Sequence, residues 1–173
     1  MKKIVIALVV FLIIMISLLI QINLLNIIPL FGVVANIGIV LIVGLSLMSG
    51  KLVGGLVGGA YGLLVDVIFG KIIGINILLY ALMGILTGHI SNGFSKDNKT
   101  SMVMVVSIAT VLFELSSVSL LAFLQNGETN IIRTLIIIAL EVVYNIILTL
   151  IFNKGIVAIG EMINKSKNSY YLL

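Results

Sequence analysis

Apolar residues fill this chain in six long blocks separated by brief polar interruptions. The first block covers 4–20 and is followed by Gln21, Asn23 and Asn26, with Pro29 close behind. The second runs over about 31–48 and stops at Ser49, Gly50 and Lys51. The third covers 52–69 and the fourth runs from 72 or 75 to 90. Gly70 and Lys71 leave almost no loop between them, which predicts a tight antiparallel hairpin. After SNGFSKDNKT (91–100), the one clearly hydrophilic loop, come a fifth block over 102–124, the linker QNGET, and a sixth block over about 131–152. Each block is long enough to cross a hydrocarbon core about 30 Å thick as a helix. The pattern predicts an all-α integral membrane protein with six transmembrane helices. It places one domain over 1–163 and a short cytoplasmic tail over 164–173.

Inside the third block the residues GGLVGGAYGLLVD set Gly54, Gly58, Gly62 and Asp66 four apart. On a helix this spacing gathers them on one face, a smooth groove ending in a carboxylate. Glycines weaken a helix in water, but in lipid they let a second helix approach closely, since packing drives association there. Two readings follow. The face seats a transmembrane segment of a partner, or it packs against the protein's own bundle, with Gly84 and Gly88 acting alike on the fourth helix.

Composition fixes the solvent. Hydrophobic residues make up 61% of the 173 and charged residues 9%, against about 25% charged in a soluble domain; mean hydropathy is +1.36. No globular core hides that much apolar surface, so the bilayer must take it. Met1, Lys2 and Lys3 ahead of the first block resemble a signal peptide, but the apolar run is long and no small-x-small cleavage site follows, so it is expected to stay as a span. Cysteine is absent, which excludes disulfides and thiolate chemistry. His89 stands without metal-ligand spacing around it and reads as an interfacial residue near the cytoplasm. No cofactor is expected, and no nucleic-acid surface, because basic residues interleaved with stacking aromatics are missing.

Orientation follows from the cations. With six crossings and a cytoplasmic N-terminus, the inner side holds Lys2, Lys3, Lys51, Lys96, Lys99, Lys154, Lys165 and Lys167, leaving Lys71 and Arg133 outside. That distribution obeys the positive-inside bias and puts both termini in the cytoplasm.

Three carboxyl groups fall within the blocks: Asp66, Glu114 and Glu141. An acid at a helix centre costs roughly 2.5–3.5 kcal/mol on insertion scales, so each must face protein or a wet cavity. Glu114 and Glu141 lie at similar depth, and Glu141 shares a face with Tyr144 and Asn145. They read either as a midplane substrate or proton site, or as a buried polar cluster of protonated carboxyls that fixes helix packing. Asp66 lies about one turn from the outer interface, level with Arg133. Either the two pair and clamp the third helix to the sixth, or Asp66 meets an extracytoplasmic partner. No nucleophile elbow, phosphate loop or metalloprotease helix occurs, so a non-enzymatic role is expected.

The order of features resembles the rod shape-determining protein MreD family. The residues carrying the resemblance are GGLVGGAYGLLVDVIFG (54–70), Gly74, and LLYALMGILTGHI with Gly84 and Gly88, together with Pro29 and the six-span pattern. The resemblance implies a non-catalytic scaffold subunit of the cell-wall elongation machinery in the bacterial plasma membrane. It implies an MreC-like single-span partner, with MreB and RodA and its transpeptidase beyond it, and a fold similar to the substrate-binding (S) components of energy-coupling-factor transporters. The second function reading is such a vitamin-binding transporter subunit. Whether the chain forms a homodimer stays open at this point.

Overall fold

The computed structural model describes residues 2–25, 32–70, 72–93, 99–125 and 130–168. Asn26, Pro29, Lys71, Lys96, Asn126 and the last five residues lie outside them. Six helices account for almost all of the described chain. α1 (Lys2–Ile20) runs on into one π-helical turn over Gln21–Leu25. Then come α2 (Ile37–Ser49), α3 (Lys51–Phe69), α4 (Ile75–His89), α5 (Lys99–Gln125) and α6 (Ile131–Asn168). Four of them, α1, α3, α5 and α6, are long and apolar enough to cross a membrane, whereas α2 and α4 are shorter apolar helices.

α2 is the axis of the molecule. All 13 of its residues are buried, as its uniformly apolar circumference requires, and α3, α4, α5 and α6 pack around it. α1 lies at the edge, joined to the core through Ile14, Ser17 and Leu18. The outer surface is hydrocarbon: Leu52, Leu56, Ile73, Phe123, Ile131 and Ile132 are each more than two-thirds exposed. Monomers in water do not present contiguous apolar faces of this extent. The surface suits lipid.

Two boundaries differ from the sequence pattern. The second helix starts at Ile37, not near 31, because Gly32 takes a left-handed φ of +82° and Asn36 caps the helix, its Oδ1 accepting from Ile39 N at 3.2 Å. The sixth helix does not stop near 152. It continues to Asn168, since Ile156 and Ile163 are buried and Gly160 lies against Met48. Asn164 Nδ2 then donates to Met48 O at 2.7 Å, satisfying a carbonyl at the C-terminal end of α2. Residues 153–168 are thus continuous helix, and position 163 marks no break in it.

Candidate functional site

The glycine face is filled by α4. An added Cβ at Gly58 would strike the Tyr80 carbonyl and lie 3.1 Å from Ala81 Cα. At Gly62 it would sit 2.6 Å from the Asn76 carbonyl carbon and 2.7 Å from Ile77 Cα. Gly54 and Gly84 meet backbone to backbone, and a Cβ at Gly88 would fall 2.5 Å from Lys51 N. Each advance of four residues along α3 is therefore matched by a retreat of four along α4. The glycine Cα groups sit against carbonyl oxygens, an arrangement suited to Cα–H···O contacts. This corrects the reading of the stripe as a partner's seat: α4 occupies it, and no other chain has access.

Asp66 closes the same hairpin at its tip. Its Oδ2 accepts from Gly74 N at 2.8 Å and Ile77 N at 3.2 Å. Its Oδ1 accepts from Asn76 N at 3.2 Å and Asn76 Nδ2 at 2.9 Å. Gly74, with φ +112°, carries no side chain to cap α4. Asp66 caps it from the neighbouring helix, placing a carboxylate at the positive end of the α4 dipole. The expected pair with Arg133 is not formed. Both Asp66 oxygens are already engaged, the carboxylate is 1% exposed, and Arg133 stands exposed on α6. Among the described residues the only ion pair joins Glu161 to Lys165.

A second constellation surrounds the start of α2. Extended backbone buried among helices needs partners for its N–H and C=O groups, and here side-chain amides supply them. Gln21, on the π turn, donates from Nε2 to Ala35 O at 2.8 Å and accepts from Ile37 N at 3.0 Å. One amide thereby pairs with an extended segment as a neighbouring strand would. Asn36 N donates to Asn145 Oδ1 at 2.8 Å, and Asn145 Nδ2 donates to Thr110 Oγ1 at 3.0 Å. Tyr80 OH donates to Asn36 Oδ1 at 2.9 Å. The Tyr80 ring stacks on Phe113 at 4.5 Å and meets Tyr61 edge-on at 5.1 Å, which ties α3, α4 and α5 together beneath the network.

Glu141 is buried beside this network. It lies close to Asn145 and to Glu114, which is half-buried. Tyr144 packs half-buried against the hydrophobic core. The expected set of Glu114, Glu141 and Asn145 thus comes together, while Gln21, Asn36, Tyr80 and Thr110 were not singled out as members. Asn36 had a signal: it is the sole polar residue between Gly32 and Ser46, and a lone amide in lipid must have a partner. Among the described residues no group of three or more His, Cys, Asp or Glu could hold a metal ion.

No curated protein and no solved structure matches the chain. Residues 1–156, by contrast, match the family model for the rod shape-determining protein MreD. A match over so much of the chain, on a body of apolar helices, makes this protein a member of the MreD family of cell shape-determining membrane proteins.

Proposed function

We propose that the protein is a non-catalytic scaffold of the bacterial cell-wall elongation complex, multi-pass in the plasma membrane. It seats the single transmembrane span of an MreC-like partner and so helps organise peptidoglycan synthesis by RodA and its transpeptidase along MreB. The family carries the cellular role. The observation that supports a scaffold is where the polar groups go: Gln21, Asn36, Asp66 and Asn145 are all spent on the chain's own backbone. A bundle braced in that way holds its shape while its apolar exterior is left for contact.

With the glycine face taken, the seat we assign is the groove between α1, α2 and α6. Ile13, Ile16, Phe152 and Ile159 line it, and Gly155, beside which a Cβ would meet nothing within 4 Å, opens it to an incoming helix. Six crossings with both termini in the cytoplasm belong to the same proposal. α2 and α4 span only about 20 and 22 Å as helices, and the segments 32–36 and 72–74 would complete their crossings. The exposed Lys51, Lys99, Lys154 and Lys165 then mark the cytoplasmic end. Likeness to energy-coupling-factor S components is proposed for the fold alone and rests on the resemblance.

Co-purification of an MreC-like protein tests the seat. Gly155→Trp should abolish capture, while Leu82→Trp on the exposed face of α4 should leave it intact. Equal capture by both variants would refute the groove.

A further inference from the structure

A cleft of about 410 Å³ opens between Gly32 and Val33 on one side and the first three turns of α6 on the other. That volume lies within the ~300–1,000 Å³ range of small-molecule sites. Its α6 wall is Ile132, Arg133, Ile136, Ile137 and Leu140, the last four spaced i, i+3, i+4 and i+7. A single helix face therefore carries a guanidinium at its outer end and then hydrocarbon, the whole run about 10 Å long with its apolar part about 6 Å. Across the cleft Gly32 contributes no side chain, and nothing lies within 4 Å of where its Cβ would be.

Among the described residues the charge at the mouth is unclaimed. Asp66, the acid the sequence offers as its partner, is consumed at the α4 N-terminus, and no described carboxylate pairs with Arg133. The Arg133 backbone N–H is held by Asn130 Oδ1 at 3.1 Å, so the α6 N-terminus is capped, and its positive dipole end lies beside the guanidinium. A cation at the rim above an apolar channel has the polarity order of a lipid, head first and tail inward. Guanidinium also matches phosphate geometry bidentately, as a lysine would not.

We propose that this cleft binds one anionic phospholipid, with its phosphate on Arg133 and one acyl chain along Ile136, Ile137 and Leu140. The site lies on a different part of α6 from the proposed partner groove and does not depend on the partner reading. It adds a fixed lipid to the surface at the end of the molecule opposite Lys51 and Lys154.

The test uses the full chain in nanodiscs of equal phosphatidylglycerol and phosphatidylcholine, with co-purified lipid counted by native mass spectrometry. Wild type should retain phosphatidylglycerol about five-fold over phosphatidylcholine, the preference one arginine near a membrane surface supplies. Arg133→Gln should erase the preference. Ile136→Trp, which fills the track and keeps the charge, should lower total retained lipid. Millimolar glycerol phosphate should displace nothing. An unchanged preference in Arg133→Gln would overturn the proposal. So would retention unaffected by Ile136→Trp, or full displacement by glycerol phosphate, which would mark a simple anion site.

Discussion

The α3–α4 hairpin and the start of α2 solve the same problem, holding backbone against backbone in lipid, by opposite means. In the hairpin side chains are removed: Gly54, Gly58, Gly62, Gly84 and Gly88 bring two helices to main-chain contact. Around α2 side chains are supplied: Gln21, Asn36 and Asn145 stand in for the hydrogen bonds that an interrupted helix lacks. Steric contacts against carbonyls cannot relax, since the obstruction is backbone. Amide contacts can shift to other donors, and membrane hydrogen bonds measured by mutant cycles are correspondingly modest. The hairpin should therefore be the brittle half of the molecule and the amide network the forgiving one.

The sharpest way to break that contrast is Gly58→Leu. Overpacking of a filled interface commonly costs 1–3 kcal/mol, and here about 3 kcal/mol or more is expected because Tyr80 O cannot move aside. Thermal unfolding in detergent reads the loss. Gly155→Ala, at an open helical position, should change stability by at most about 1 kcal/mol and in the favourable direction. If both variants melt alike, close approach is not what holds the hairpin.

Asp66→Ala comes next. It strands the N–H groups of Gly74, Asn76 and Ile77, with a loss of roughly 2–3 kcal/mol, and Asp66→Asn should cost about half of that. Arg133→Gln should leave stability unchanged. A double-mutant cycle between positions 66 and 133 should show no coupling, and a coupling above about 0.5 kcal/mol would restore the ion pair. Of the contacts in the two regions compared, the smallest loss is expected at Asn145→Leu, about 1 kcal/mol, because single hydrogen bonds between transmembrane helices are individually modest. A loss larger than that of Asp66→Ala would reverse the ranking of the two regions.

What the sequence discloses tracks the distance over which each contact acts. The four-residue glycine period, Asp66 at its end and the minimal linker before α4 are local, so the hairpin and its helices are legible from spacing. Spacing does not reveal what fills a small-residue face, and the α4 backbone fills this one. For Asp66 the sequence offers a pair with Arg133 or an extracytoplasmic partner, and neither reading finds the α4 N–H groups, because sequence shows charges readily and free N–H groups poorly. Those N–H groups arise only where Gly74 leaves α4 uncapped. Asn36 and Asn145 are separated by 109 positions, a pairing no periodicity announces. The continuation of α6 past Phe152 was hidden because Asn153 and Lys154 look like a terminus, while the buried residues that follow answer to α2.

The matched steps of α3 and α4 also bear on how this stretch can change length over evolutionary time. Losing a single residue between Gly54 and Gly62 would turn everything beyond it by about 100° around the helix axis. Every glycine past the deletion would then face a side chain in place of a carbonyl. Insertions and deletions should accordingly be excluded from both helices, and related sequences should align without gaps there even where few other residues agree.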